Sequence, residues 1–168
     1  IVGATGSIGS ICAHIMAREV NCLNLVDKHY QKLSSFALRL MKETGVAAKF
    51  STDLTALLPR ADVIMTMSSA VDELIDGTLL KPGAVVCDIA RPRDVSRQIA
   101  EVRKDVLVID GGVIEVPGNV NFNFDFGFPP GLAYACMAET MLLCLERRYE
   151  NFTLGRELSI EQVEEIAA

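Results

Sequence analysis

Ile1-Val2-Gly3-Ala4-Thr5-Gly6-Ser7-Ile8-Gly9-Ser10 opens the chain and decides its fold. Two apolar residues, a glycine-rich turn and then apolar residues at helical spacing read as the end of a strand and the start of a helix. Such a junction leaves backbone N–H groups free at the helix N-terminus, where they can meet a pyrophosphate. In this reading Gly3 permits the tight turn, Gly6 lets a diphosphate approach the backbone, and Gly9 lets the helix pack on the sheet. Thr5, Ser7 and Ile8 complete the cradle. The spacing is Gly-x-x-Gly-x-x-Gly, not the commoner Gly-x-Gly-x-x-Gly, so the motif leans on its second half, an acidic residue roughly 20 positions on. Asp27 supplies it, directly after the apolar run 23–26. A strand typically runs about five or six residues. Two residues before the turn therefore suggest a truncated first strand, a longer parent protein and a substrate domain upstream.

Composition sets the broad class. The 168 residues, half of them apolar, suffice for one good core and a small appendage. A formal charge of -6 offers no basic footprint for nucleic acid. Nothing approaches the roughly 18 consecutive apolar residues of a membrane span, so the expectation is a soluble, cytoplasmic protein. Cys12, Cys22, Cys87, Cys136 and Cys144 form no C-x-x-C pair and no ligand cluster with His14 and His29. That pattern fits reduced thiols and no metal site.

Along the chain, segments 7–19 and 28–44 have helical spacing, with Ile8, Ile11, Cys12, Ile15 and Met16 on one face, then Leu33, Phe36, Ala37, Leu40 and Met41. Short apolar runs at 23–26, 46–50, 63–67, 85–89 and 106–109 alternate with these and with shorter polar connections. The pattern predicts an α/β fold: a Rossmann-like, doubly wound parallel sheet with a small C-terminal helical extension. A short helix capped by Thr52 or Asp53 should end at Pro59, and Asp94 or Ser96 should start another. Beyond residue 113 the pattern changes. Phe122, Phe124, Phe126 and Phe128 alternate with polar residues and glycine, which puts four rings on one side of an extended segment. An apolar helix, about 132–149, then reads as buried or cavity-lining, with Glu139 its only charge before Glu146. The expected organisation is a dinucleotide-binding domain over 1–116, an extended connection over 117–131 and a helical segment over 132–168.

Ligands in such sheets bind outside the carboxyl ends of the strands. Ser68, Ser69, Gly111 and Gly112 fall there and are candidate cofactor contacts, as is the less clear stretch 88–94. Asp27 would accept from ribose hydroxyls and repel a 2′-phosphate, which favours NADH. Lys28, with His29 beside it, would attract that phosphate, which favours NADPH. Cys136 lies early in a helix that follows a proline-glycine break, where the helix dipole favours a thiolate. A small buried hydrophobe is the plainer reading of the same residue. Cys12, Cys22, Cys87 and Cys144 fall in helix or strand cores by pattern.

Three blocks carry a resemblance. The opening glycine turn, Ala135-Cys136-Met137-Ala138-Glu139-Thr140-Met141-Leu142-Leu143 and Asn151-Phe152-Thr153-Leu154-Gly155-Arg156 together resemble the long-chain acyl-[acyl-carrier-protein] reductases, which form fatty aldehydes. The resemblance spans the whole chain and implies an acyl-binding domain upstream. It also implies Cys136 as nucleophile, an acyl carrier protein or acyl-CoA thioester as substrate, and NADPH as cofactor. Where that family has an arginine after the second strand, this chain has Asp27-Lys28, which leaves NADH open. The segment 87–95 also resembles glutamyl-tRNA reductases, whose nucleophile lies upstream. A shikimate-dehydrogenase-like enzyme and a nucleotide-binding module without chemistry are further alternatives. Arg91, Arg93, Arg97, Arg103 and Lys104 outnumber Asp94 and Glu101 locally. They are a candidate patch for an acidic carrier, though a solvated helix face is the simpler reading.

Overall fold

The computed structural model describes residues 1–125, 127–153 and 158–168. Five parallel strands follow the opening segment: β1 (Cys22–Val26), β2 (Ala47–Ser51), β3 (Val63–Thr66), β4 (Val85–Asp88) and β5 (Leu107–Asp110). Helices α1 (Ser7–Met16), α2 (Tyr30–Thr44) and α3 (Arg97–Val102) connect them, with single 3-10 turns at Leu58–Arg60 and Gly77–Leu79. An antiparallel pair, β6 (Val113–Glu115) and β7 (Leu132–Tyr134), leads into α4 (Ala135–Leu145) and α5 (Ile160–Ala167).

Ile1 and Val2 join the sheet. β1 pairs β2 on one side, β3 pairs β4 and β4 pairs β5 on the other, and Val2 bridges both β1 at Val26 and β3 at Thr66. Its N–H donates to Met65 O at 2.9 Å and its carbonyl accepts from Met67 N at 3.1 Å, while Val26 N donates to Ile1 O at 2.9 Å. The strand order is therefore β2, β1, opening segment, β3, β4, β5. The order reverses at Val2, which is where the turn Gly3 to Gly9 leaves the sheet.

Register shows that the sheet is wound on both faces. Residues two apart along a strand share a face. Val2, aligned with Val26 and Thr66, thus shares its side with Ile64 and Val86, and these pack with Leu80, Val95 and Ile99 in one core. Leu23 and Leu25 point to the opposite side and pack with Leu33, Phe36, Ala37 and Leu40 of α2 and with Ala13 of α1. α1 does not use the wide apolar face expected for it. Gly9 and Ala13 are its buried residues while Ile8 stays 47% exposed, because the small side chains let the helix lie close to the sheet. On that same face α1 and α2 leave β3–β5 open: Val63, Leu107 and Ile109 remain exposed.

Local chemistry moves several boundaries. Asp53 accepts from Thr55 N and Oγ1 at 2.9 and 2.7 Å and makes a turn instead of a helix cap, and Pro59 falls inside the 3-10 turn instead of ending a helix. Ser96 caps α3, accepting from Gln98 N at 3.3 Å. Residues 122–125, 127 and 128 form no strand. Asn121 and Asp125 accept the N–H of Asn123 and Gly127 at 2.9 and 2.7 Å, and both donating residues have positive φ, so side-chain turns interrupt the alternation. Phe124 is 70% exposed and Phe128 packs on Tyr134 with ring centroids 4.9 Å apart. Phe126 lies outside the described residues, as do Leu154, Gly155 and Arg156. The expected long apolar helix begins as strand β7, and none of the residues of α4 is buried. Cys22, Cys136 and Cys144 are exposed and Cys12 and Cys87 half-buried, so the pattern-based core placement fails outright for Cys22 and Cys144. α5 is closed by a Ser159–Gln162 capping box and tied to Arg18, just beyond α1, by Glu164 at 2.6 Å. Among the described residues no helix is long and apolar enough to cross a membrane.

Two leucines on the same sheet face test this layering. Leu25→Ala, at a site with no exposure, should cost about 2–5 kcal/mol in urea unfolding through lost burial and a residual cavity. Leu107→Ala, at a site 57% exposed, should change stability by no more than about 0.5 kcal/mol. Equal losses would mean that the face over β5 is covered.

Candidate functional site

The glycine turn is held by its own backbone. Gly3 has φ +79°, and a Cβ there would sit 2.8 Å from Met67 O. A Cβ on Gly9 would run into Gly3 O, so α1 can pack against the turn only through a glycine at that position. Gly6 N donates to Gly3 O at 3.1 Å and Ser10 N donates to Gly6 O at 2.9 Å. The N–H groups of Ser7, Ile8 and Gly9 precede the first intrahelical bond. No side chain caps α1 and its first turn carries no acid, so the positive end of the helix dipole stays uncompensated by protein groups. This donor set suits a pyrophosphate.

Asp27 is turned toward that loop. Its Oδ2 accepts from Thr5 N at 3.0 Å and Thr5 Oγ1 at 2.7 Å, and Oδ1 accepts from His29 N at 3.4 Å. Partial burial alone would raise the carboxyl pKa, but the Thr5 hydroxyl and the Thr5, His29 and Lys28 N–H groups outweigh it and hold the group below its ordinary value. Both oxygens of Asp27, the one acid among the described residues that line the cleft, thus already accept from the protein. Around it lie three basic residues, Lys28, His29 and Lys32.

These residues enclose a cleft of about 670 Å³ at the carboxyl ends of the strands, within the range of cofactor sites. Gly3, Thr5, Gly6, Ser7, Ile8, Gly9, Asp27, Lys28, Ser68 and Ser69 all line it, so ten of the sequence-predicted contacts come together. Lys32, Thr52, Leu54 and Leu74 line it too and were not foreseen. For Lys32 a signal existed, since it falls in the first turn of the helix that starts just after Lys28 and His29. A second cavity of about 330 Å³ opens at the opposite ends of β1 and β3, among Ile1, Met16, Val20, Leu57 and Leu58. Its mostly apolar lining includes Arg60 but, among the described residues, no glycine and no N-terminus of an α-helix.

Gly111 and Gly112 stand outside the cleft lining, farther along the same sheet edge at the end of β5. A Cβ on Gly111 would collide with Cys87 Sγ and Ile89 Cγ1. Gly112 O accepts Ala135 N at 3.0 Å, and Val113 pairs with Tyr134. The β6–β7 pair therefore returns the chain to the sheet edge just where α4 begins, and Cys136 is the second residue of that helix, with its side chain exposed. The Arg91 guanidinium lies 5.8 Å from the Tyr134 ring centroid, and Arg91 and Arg93 each bond one oxygen of Asp110. Glu139 accepts from the Thr153 hydroxyl. Burial pushes the thiols of Cys12 and Cys87 up, and the charges of Asp88 and Asp110 add to the effect at Cys87, so both stay protonated. Arg103 is taken up by Asp105 and by the carbonyls of Gly77 and Leu80, which removes it from the expected carrier patch. Among the described residues no group of three or more His, Cys, Asp or Glu side chains is placed to hold a metal.

Two relatives align over 99% of the chain. Aminotransferase PigE of Serratia sp. is 33% identical over 170 residues, and the chain spans 20% of that protein. The long-chain acyl-[acyl-carrier-protein] reductase of Synechococcus elongatus is 30% identical over 174 residues, and the chain spans 49% of it. The chain thus covers between a fifth and about half of these relatives. Among solved structures, the Δ1-pyrroline-2-carboxylate reductase of Thermococcus litoralis, in complex with NADH and L-proline, superposes on 49% of this chain and 27% of its own. The match has a TM-score of 0.45 and 14% identity. The nucleotide-binding domain of Thermoplasma volcanium glutamyl-tRNA reductase covers 66% of this chain and 88% of its own, with a TM-score of 0.39 and 16% identity. The shikimate / quinate 5-dehydrogenase family matches residues 1–110, the stretch that contains the glycine turn, the cleft and all five parallel strands, and the chain belongs to that family.

Proposed function

We propose that this chain is the NADPH-binding and acyl-accepting part of a reductase that converts a long-chain acyl thioester to an aldehyde through Cys136. The observation that carries the reading is the Gly112–Ala135 hydrogen bond. It ties the helix bearing an exposed thiol to the sheet edge that also forms the dinucleotide cleft. In this reading residues 1–116 bind the dinucleotide, 117–131 connect, 132–168 supply the nucleophile, and an acyl-binding domain precedes Ile1. The thioester arrives on an acyl carrier protein or on CoA.

The N–H groups of Ser7, Ile8 and Gly9 would hold the pyrophosphate, with Lys28 and Lys32 near the ribose phosphate. When bound, the reduced nicotinamide supplies the hydride. The Cys136 thiolate attacks the thioester carbonyl, forming a new C–S bond as the bond to the carrier thiol breaks. The acyl group remains on Cys136 and the carrier thiol takes up a proton. Thiol-for-thiol exchange is close to balanced, and the product stays more reducible than an ester would be. Once the acyl carbon has been reduced by two electrons, the Cys136 C–S bond breaks and releases the aldehyde with the thiolate restored. The family match favours one second reading, direct hydride exchange with a small alcohol or ketone, in which Cys136 has no chemical role.

The first test concerns the cofactor. The isolated chain should bind NADPH more tightly than NADH in isothermal titration, yet turn over no acyl thioester. Lys28→Ala and Lys32→Ala should each weaken NADPH about tenfold while leaving NADH nearly unchanged, the loss of one phosphate contact of about 1.4 kcal/mol. Asp27→Ala should shift the ratio further toward NADPH while weakening both, since Thr5 loses its acceptor. Absence of binding to either dinucleotide would remove the basis of the reading.

The second test concerns the thiol. In the intact protein, a long-chain acyl thioester without reduced cofactor should leave a hydroxylamine-sensitive adduct on Cys136, and adding NADPH should release aldehyde. Cys136→Ser should keep dinucleotide affinity and lose reductase activity by at least about a hundredfold. Serine at Cys22 or Cys144, both also exposed, should leave substantial activity. An adduct on a cysteine upstream, with Cys136→Ser still active, would favour the glutamyl-tRNA-reductase-like arrangement. No adduct at all, with reduction of a ketone intact, would favour the shikimate-dehydrogenase-like one.

A further inference from the structure

Three polar side chains are fully buried among the described residues, Thr66, Asp88 and Asp94, and all belong to the ends of β3 and β4 or to the loop that follows β4. Asp94 reaches 26 residues back along the chain. Its Oδ2 accepts Ser68 N at 3.0 Å and its Oδ1 accepts Ser68 Oγ at 2.5 Å. Its backbone carbonyl accepts Leu74 N at 2.9 Å and Ile75 N at 3.1 Å. Ser68 Oγ in turn accepts Ala70 N at 3.0 Å. The wall of the cleft formed by Ser68, Ser69, Ala70 and Leu74 therefore hangs from one residue that does not itself line the cleft. Asp88 supports the anchor from below. It accepts Val95 N at 3.1 Å, next to Asp94, together with Thr66 Oγ1 at 2.9 Å and Ala90 N at 3.0 Å.

This geometry reassigns the two serines. The N–H and O–H donors of Ser68 are both spent on Asp94, so Ser68 offers a ligand no donor. Ser69 is exposed in the cleft, and its hydroxyl bonds to no described residue. We propose that Asp94 is a positioning residue of the dinucleotide site: by clamping Ser68 it fixes the loop 68–75 so that Ser69 presents its hydroxyl to the bound cofactor. The inference rests on the reading of the cleft as a dinucleotide site. It adds a residue on the far side of the loop that sets affinity without touching ligand. A clamp of this kind lowers the ordering cost of binding, because the wall is already in place.

Titration of NADPH into the isolated chain, with thermal unfolding followed in parallel, tests it. Ser69→Ala should weaken NADPH about tenfold and leave the melting temperature unchanged. Asp94→Asn, which has one acceptor oxygen where Asp94 uses two for the Ser68 donors, should weaken NADPH by a similar factor. The double variant should be no weaker than Asp94→Asn alone, because a misplaced Ser69 has nothing left to lose. A purely structural Asp94 would lower the melting temperature, leave NADPH affinity of the folded protein intact, and give additive losses with Ser69→Ala. Either of those last two results overturns the proposal. If Asp94→Asn does not fold, Ser68→Ala removes the hydroxyl arm alone and should weaken NADPH three- to fivefold, and unchanged affinity there overturns the proposal equally. Wild-type chain that binds neither NADPH nor NADH would instead refute the cleft reading, and the inference with it.

Discussion

Val2 gives its N–H to Met65 O and takes Met67 N on its carbonyl, while on the other side Ile1 O takes Val26 N and the N–H groups of Gly3 and Ala4 go to Val26 O, so the opening segment joins the two halves of the sheet. β1 and β3 have no ladder of their own with each other. Everything at the carboxyl edge inherits its position from this short central segment. Gly3 leaves the sheet at the one place where successive strands turn in opposite directions, and a turn there opens into a crevice instead of into a neighbouring loop. Because α1 must then start at once, it does so through Gly9 against Gly3 O, and its first N–H groups point into the crevice unbonded. Close packing and ligand-binding capacity are here one requirement.

Where the sequence spoke in periods, it was readable. The five apolar runs became the five parallel strands within a residue or so, since each packs at least one face, fully or in part, against a core: β2 through Ala48 and Phe50 and β5 through Val108 only partly. α2 packs through Leu33, Phe36, Ala37 and Leu40 as its spacing demanded. α1 departed from its pattern because hydrophobicity says nothing about distance. Gly9 and Ala13 are poor hydrophobes, yet they are the residues that permit contact, while Ile8 faces away. The phenylalanine alternation failed for a different reason. Asn121 and Asp125 offer the backbone a local acceptor two residues on, and that bond replaces the ladder a strand would need. Leu132 to Tyr134 were absorbed into a helix because nothing in three apolar residues distinguishes a strand from a helical turn. Pairing with β6, remote in sequence, decides it.

The site divides along the same line. The residues of a contiguous motif, from Gly3 to Gly9 with Asp27 and Lys28, come together in one cleft because the chemistry and the spacing coincide. Local spacing offers Asp94 and Ser96 alike as a helix cap, a local role, whereas Asp94 bonds to Ser68, 26 residues away, and is buried. No periodicity announces such a residue. Ser96, two positions on, does the capping instead, and this frees Asp94 to face inward. Ser68 and Ser69 were indistinguishable by sequence, and a single buried carboxylate separates one that builds the wall from one that faces the cleft.

Electrostatics in the cleft follows from the same economy of partners. An acid at the end of β1 would ordinarily repel a 2′-phosphate, but a carboxylate oxygen can serve few donors at once, and Thr5 supplies two to Oδ2. The negative charge is thereby drawn toward the glycine turn, where it orders the loop. The basic side chains of Lys28 and Lys32 then line a cleft in which Asp27, the one acid among the described lining residues, is a carboxylate already engaged by hydrogen bonds. At the far end of the edge Asp110 is held by two guanidiniums, so that net positive charge collects beside Gly112 and the start of α4. The two ends of this sheet edge thus favour anions for different reasons, one through lysines around a preoccupied aspartate and one through two arginines sharing one carboxylate. Between them lies the uncapped start of α1, whose first residues line the cleft beside Lys28 and Lys32.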